Sequence, residues 1–246
     1  MNNRRILSSA FALALAALSC PALAQSNRTP PGDPCGIGPG VGRGNPCNGN
    51  NGNPGGNGNS GGHGDDLNIV IPGLPGRGVF VAQIGDENEV RVTQANDDAL
   101  AIVVQEGDRN FAGLTQQGQS RDFAKILQTG EGNIGTVAQS GFGENVLYLT
   151  QAGDRNQAAA AQSSAGVANG AVMVQLGAMN RMDLTQNGED NRAIMSQSGY
   201  GNAMTATQNN DGNRLIWTQI GSGLSRVDVT QPGGQAMMIT QVGTGR

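Results

Sequence analysis

Residues 105–116 read QEGDRNFAGLTQ, and the glutamine that ends this stretch begins the next one, QQGQSRDFAKILQ at 116–128. The return to glutamine continues along most of the chain, with nine intervals of 11 residues, three of 12, one of 13 and one of 10. Such a fixed period is typical of a repeat architecture. The repeating glutamines are Gln83, Gln94, Gln105, Gln116, Gln128, Gln139, Gln151, Gln162, Gln175, Gln186, Gln197, Gln208, Gln219, Gln231 and Gln241.

A second polar position lies six residues before the closing glutamine of each unit. Asparagine occupies it in ten of 14 units: Asn88, Asn110, Asn133, Asn145, Asn156, Asn169, Asn180, Asn191, Asn202 and Asn213. The other four units have Ala99, Asp122, Ser225 and Gln235 there. Every change in unit length falls between a glutamine and this position. The seven residues that end at the glutamine are therefore constrained, and the residues after it tolerate insertion.

Apolar and polar residues alternate within the seven-residue segment. The positions four and two before the glutamine are apolar, as at Met182 and Leu184, in every unit but the one with Gly135. A period of two indicates a β-strand, and it places the Asn, both apolar residues and the Gln on one face. We expect the opposite face to meet solvent, although Ile102, Phe111, Phe123 and Ile216 leave it partly apolar.

The variable part of each unit has the composition of a turn. Glycine is the second residue after the glutamine in 12 of 15 cases, and Asn96 and Asn210 replace it in two more. Gly and Asn are the residues that accept positive φ, so the chain can reverse there. Carboxylates such as Asp86, Asp108 and Asp154 also fall in these turns, where we expect simple solvation.

Two strand-turn units make a coil of about 22 residues, which predicts an all-β, parallel β-solenoid of about seven two-strand coils. In such a coil like positions lie above one another, and we expect every Gln and Asn amide to donate to the layer above and to accept from the layer below. The sequence predicts no polar capping helix at either end of the repeats. It has only residues 241–246 at the C-terminal side and a partial strand at 79–83 at the N-terminal side. Uncapped strand edges favour addition of another molecule and a cross-β fibre. A soluble solenoid with covered ends is the alternative.

The pattern QxGxxNxAxxxQ, intact at 105–116, 151–162 and 186–197, resembles the repeat of the curlin family, the subunits of curli fimbriae. The resemblance covers Gln83 to Gln241. It implies a chain that crosses the outer membrane of a Gram-negative bacterium unfolded, through a dedicated secretion pore, and that forms a parallel β-solenoid. It also implies polymerisation outside the cell into an extracellular fimbria, with a nucleator or companion subunit, for adhesion and biofilm matrix. The substituted asparagine positions and the number of units leave open whether the chain resembles the major subunit or the nucleator.

The first third of the chain has a different composition. Residues 1–24 have the layout of a secretory signal peptide, with Arg4 and Arg5 before an apolar run and Ala22-Leu23-Ala24 before the predicted cleavage site. Residues 25–76 are rich in Gly, Pro and Asn, which predicts a disordered arm before the repeats at 77–246. The arm contains Cys35 and Cys47, a possible disulfide in an oxidising compartment, and His63 without a partner at ligand spacing.

The residue content argues against several other functions. Removal of residues 1–24 leaves 13 basic and 19 acidic residues, so we expect no nucleic-acid partner. A single histidine and carboxylates confined to turns predict no catalytic site, metal, cofactor or small-molecule substrate. The remaining alternative is a soluble secreted binding module, such as an ice-binding or surface-binding solenoid, with outward threonines including Thr93, Thr115 and Thr185 in register.

Overall fold

The computed structural model describes residues 77–243, which form 15 β-strands and contain no helix. The predicted signal peptide and arm, with Cys35, Cys47 and His63, lie outside the described residues. The odd-numbered strands are β1 (Gly78–Ile84), β3 (Leu100–Glu106), β5 (Phe123–Thr129), β7 (Asn145–Ala152), β9 (Asn169–Ala178), β11 (Arg192–Tyr200), β13 (Arg214–Ser222) and β15 (Ala236–Val242). The even-numbered strands are β2 (Glu89–Gln94), β4 (Phe111–Gly118), β6 (Ile134–Gly141), β8 (Gln157–Ser164), β10 (Arg181–Asn187), β12 (Ala203–Asn209) and β14 (Val227–Gln231).

The strands form two parallel sheets. Sheet A contains the eight odd-numbered strands and sheet B the seven even-numbered ones, each in the order of the chain. Except for the last strand of each sheet, every strand pairs with the strand of the same sheet one coil later. The register places each repeat glutamine beside the one two repeats further along the chain, as in Gln105 beside Gln128. The prediction of a parallel β-solenoid is therefore confirmed. The partial strand expected at 79–83 is instead a complete one, Gly78–Ile84, because it pairs along its whole length with β3.

The core lies between the two sheets and consists of the inward apolar residues. It is one continuous column of small and branched residues with four methionines and the indole of Trp217. The register places Trp217 between Met195 and Ile239 of the neighbouring coils, and its side chain is fully buried. Thin coils cannot form a wide core, so stability depends on repeated contact between layers.

The turns contain a column of glycines in left-handed backbone conformation. Gly107, Gly130, Gly153 and Gly177 have φ between +101° and +109°, and each carbonyl oxygen lies where the Cβ of the preceding glycine would be. Only glycine permits both the conformation and the close approach. The prediction for Asn96 was wrong: it lacks positive φ, and its Oδ1 instead accepts the Asp98 amide at 2.9 Å in a local turn.

None of the described residues belongs to a helix long and apolar enough to cross a membrane.

We predict that Gly153→Ala destabilises the solenoid far more than Gly201→Ala. Both glycines have positive φ, at +109° and +67°, so both substitutions strain the backbone by about 1–2 kcal/mol. Only at Gly153 would the new Cβ also overlap a carbonyl, that of Gly177, whereas nothing lies within 4 Å of the position at Gly201. Urea unfolding of the two variants measures the difference. Equal losses of stability would contradict the close-packed glycine column.

Candidate assembly interface

The repeat glutamines form two continuous hydrogen-bonded ladders inside the solenoid. In each sheet the Nε2 of one glutamine donates to the Oε1 of the glutamine one coil later, at distances from 2.5 to 3.0 Å. The ladder of sheet A runs from Gln83 to Gln241 without a break. The ladder of sheet B runs from Gln94 to Gln231 in the same way. Both ladders therefore have the same direction along the stack.

In most layers the buried glutamine also donates an Nε2 hydrogen to a backbone carbonyl of the opposite sheet. Gln139 Nε2 donates to the Phe123 carbonyl at 2.9 Å, and Gln151 Nε2 to the Ile134 carbonyl at 3.0 Å, so the amide links sheets A and B. Both glutamines are at most 1% exposed. A buried amide without partners costs about 1–3 kcal/mol, so each ladder position favours glutamine over other polar residues. The bonds also fix the register between coils, because a slipped coil would leave amides unpaired.

The asparagines form two further ladders with the opposite direction. Asn133 donates its backbone N–H and its Nδ2 to Asn110 Oδ1, at 3.0 and 3.1 Å, so a later coil donates to an earlier one. Asn133 Nδ2 also donates at 2.7 Å to the carbonyl of Gly153 in the next coil. The predicted ladder is thus present for both residue types, but the prediction of a common direction was wrong for asparagine. The asparagine side chain is shorter and starts at the turn, where its Nδ2 also donates to backbone carbonyls.

The four substituted asparagine positions change the ladders locally. Ala99 has no polar side chain, so the ladder of that column begins one coil later, at Asp122. Near the C-terminal end the backbone replaces the missing amides: Leu224 N donates to Asn202 Oδ1 and Gln235 N to Asn213 Oδ1, at 3.1 and 3.3 Å. Strand β3, whose unit has Ala99, still pairs over its full length with both β1 and β5.

Asp122 is the one carboxylate in this asparagine column. Its Oδ1 accepts the backbone N–H and the Nδ2 of Asn145, both at 3.0 Å, as an asparagine would. Its Oδ2 is buried and has no partner among the described residues. The equivalent atom of Asn169 is an Nδ2 that donates at 2.8 Å to a turn carbonyl of the next coil. Burial raises the pKa of Asp122, against the hydrogen bonds from Asn145 that lower it.

We predict that Asp122→Asn stabilises the solenoid at pH 7, by about 1–3 kcal/mol, because it supplies the missing donor and removes an incompletely paired buried charge. The gain should shrink at acid pH. The pKa of Asp122 is higher in the folded chain than its ordinary value of 3.8. The wild type therefore loses stability as the pH rises from the ordinary pKa through the raised one, and it stays less stable at any higher pH.

Urea unfolding at pH 7 and pH 3 measures this difference. Asp97→Asn, at an exposed turn residue, is the matched control and should change stability little at either pH. A gain from Asp122→Asn that is equal at both pH values would contradict the role assigned to the carboxylate.

The turn carboxylates have a structural role beyond the solvation that we expected from the sequence. Asp108 Oδ1 accepts the Asp86 backbone N–H at 2.8 Å, and Asp211 Oδ1 accepts the Glu189 N–H at the same distance. Asp154 does the same for Glu131 at 3.1 Å. These carboxylates therefore link neighbouring coils, rather than being merely solvated as we expected. The recurrence of Asp three residues after a repeat glutamine was the signal in the sequence.

The two ends of the sheet A ladder are complementary. At the N-terminal end Gln83 is exposed, and its Oε1 accepts no hydrogen bond from the described residues. At the C-terminal end Gln241 Nε2 donates only to the Ser225 carbonyl, at 3.3 Å, which leaves one N–H without a partner among residues 77–243. The sheet B ladder is open only at Gln94, because Gln231 Nε2 donates both to the Arg214 carbonyl and to the Gln235 carbonyl, each at 3.0 Å.

Within residues 77–243 no cluster of three or more His, Cys, Asp or Glu residues has the geometry to hold a metal ion. Comparison with protein-family models, with curated proteins and with solved structures gives no significant match. The functional interpretation therefore rests on the geometry of the coils and their ends.

Proposed function

We propose that this protein is the structural subunit of an extracellular fibre that grows by end-to-end stacking of solenoids. The observation that carries the proposal is the sheet A ladder, which among residues 77–243 ends in a free acceptor at Gln83 and a free donor at Gln241. A second copy placed in register would continue the ladder with the same bond that links every internal coil. It would also pair the open backbone edges of β1 and β15, which otherwise lack partner strands within residues 77–243.

The apolar core is also open at both ends of the described solenoid. The inward residues Val79 and Val81 of β1 are 45% and 46% exposed, and Met237 of β15 is 37% exposed. Their counterparts in the internal coils are fully buried or nearly so. Stacking of β15 on β1 would therefore bury these side chains as the internal coils do, and burial of apolar surface contributes about 25 cal/mol per Å².

The direction of the amides makes this growth polar. Joining a C-terminal end to an N-terminal end places Gln241 Nε2 against Gln83 Oε1, a donor against an acceptor. Joining two N-terminal ends would place two carbonyl oxygens together, and each would stay unpaired at a cost of about 1–3 kcal/mol. We therefore infer a fibre in which all subunits point the same way.

The number of strands adds a requirement at each junction. Because β1 and β15 both belong to sheet A, direct contact between them leaves one strand position open in sheet B, between β14 and the next copy's β2. Continuation of sheet B across the junction therefore requires a further strand at this position.

The resemblance to the curlin repeat supports the wider biological part of the proposal. A fibre of this kind, exported through a secretion pore after removal of residues 1–24, would serve adhesion and biofilm matrix on the surface of a Gram-negative cell. A companion subunit that nucleates growth is part of the same proposal. No catalytic step and no cofactor is needed for any of these roles.

A second candidate function is ice or surface binding by the outer face of sheet B. One column of this face contains Thr93, Thr115, Thr185, Thr207 and Thr230 in register. Ala138 and Ala161 interrupt it, and charged residues of the neighbouring column roughen the face. Thermal hysteresis of the monomer, without fibre growth, would favour this function over the first.

We predict that the chain lacking residues 1–24 forms fibres after a lag, and that preformed fibres abolish the lag. Fibre diffraction should show a meridional reflection at about 4.8 Å, the spacing between stacked strands. Seeded and unseeded growth at tens of micromolar is the measurement. A chain that stays monodisperse for days with seeds present would overturn the proposed function.

We predict that Gln241→Leu raises the concentration of soluble protein in equilibrium with fibres by about fivefold or more. The variant leaves Gln83 of the adjoining copy unpaired, and about 1 kcal/mol corresponds to a factor of about five. Sedimentation of fibres and assay of the supernatant measure this concentration.

Thr240→Val is the control for Gln241→Leu, since Thr240 is adjacent but points outward, and it should change the concentration little. Equal effects of the variants at 240 and 241 would contradict templating by the inward amide.

A further inference from the structure

The outer faces of the two sheets differ strongly in composition, although the repeat is the same in both. The two central outward columns of each face lie three residues and one residue before the glutamines. In sheet B none of these residues is a large apolar one. In sheet A ten of 16 are: Phe80, Ile102, Val104, Leu127, Tyr148, Val172, Val174, Ile194, Ile216 and Met238. At these two columns the polar outward face expected from the sequence is found on sheet B, whereas sheet A is largely apolar.

The charges of the two faces follow the same division. On sheet B charged outward residues form ion pairs with residues two positions away, such as Arg181 with Asp183 and Arg226 with Asp228, both at 2.9 Å. On sheet A the central columns contain one charged residue, Lys125, whose long side chain can extend to the margin. At the margin Arg192 and Arg214 both pair with Asp190, at 3.1 and 3.4 Å. Sheet A therefore presents an apolar surface at its two central columns, with paired charge at one edge.

Part of this face already packs as a small second core. Leu100, Phe123 and Val146 are outward residues at its margin, yet each is at most 4% exposed. Ile102 and Tyr148 pack against them, and the Phe123 and Tyr148 rings lie 5.2 Å apart at an interplanar angle of 59°. The rest of the face, toward β9, β11 and β13, has no such cover from the described residues.

We propose that the outer face of sheet A docks against the same face of a second copy of this chain, so that two solenoids lie side by side. Eight strands about 4.8 Å apart and about seven residues long give a face of about 34 by 20 Å. Two such faces bury about 1,400 Å², which is within the range of stable protein interfaces.

The regularity of the face selects a second copy over an unrelated partner. Its side chains recur at the spacing of the coils, about 4.8 Å, so only a surface with the same spacing can interdigitate with it in every layer. The identical face of another copy has this spacing, and its scarcity of charge avoids burying unpaired ions. This inference goes beyond the proposed end-to-end growth, because it concerns a different surface and a different direction.

The test compares a double variant on each sheet. Val172→Lys with Ile194→Lys adds two charges to neighbouring strands of the sheet A face. Ala159→Lys with Thr205→Lys adds the same two charges to the corresponding column of sheet B. For fibres of the wild type and of the sheet B variant, we expect a mass per length about twice that of a fibre made of one stack of solenoids. The sheet A variant should have the single value, with unchanged seeded growth. Single-column fibres of the wild type, or equal values for both variants, would overturn the proposal.

Sedimentation equilibrium of the soluble chain keeps this test separate from the test of fibre growth. If the wild type forms no fibres, end-to-end growth fails, and pairing is then supported by a wild-type dimer that the sheet A variant dissociates. A wild-type monomer under the same conditions would overturn pairing.

A photo-crosslinking residue at position 194, in a mixture of isotopically labelled and unlabelled chains, identifies the occupant of the face. Cross-links between labelled and unlabelled odd-numbered strands support the second copy. Cross-links to residues 25–76 or to another partner would overturn it.

Discussion

The burial of side-chain amides in register is the constraint on which the rest of the structure depends. A glutamine inside a two-strand coil has no water to bind, so its donors and acceptor must find partners in the layers above and below. Only the same residue at the same height in each coil satisfies them all. This requirement fixes the parallel direction of the strands, the length of the constrained segment and the register between Gln105 and Gln128.

The same bonds that hold the coils together determine what their ends can do. Internal amides such as Gln151 are fully paired and hidden, whereas Gln83 and Gln241 carry the unpaired groups of the sheet A ladder. The glutamine and asparagine ladders run in opposite directions, so each kind of ladder has its own donor direction along the stack. In the proposed fibre these end groups would let one copy serve as the template for the next. The two sheets differ at the C-terminal end, because Gln231 Nε2 already donates to two backbone carbonyls.

The coil geometry also explains where substitutions are tolerated. Ala99 and Ser225 replace asparagine near the ends of their columns, where ladder bonds are few and the backbone substitutes for a lost amide at Asn202. Asp122 is the first member of its ladder and keeps one oxygen paired, while the other is buried without a partner among the described residues. The column of glycines at Gly130 and Gly153 tolerates nothing larger, since carbonyl groups of successive coils fill the space.

The sequence alone determined the period, the strands, the inward positions and the parallel solenoid, because each follows from spacing and alternation along one chain. Three features depended on tertiary structure. The direction of each ladder is set by which layer an amide faces. The role of Asp108 is set by its contact with Asp86, which lies 22 residues away in the chain. The apolar face of sheet A emerges only when alternate units are assigned to different sheets, since residues such as Val172 and Ile194 are neighbours in space but not in the chain.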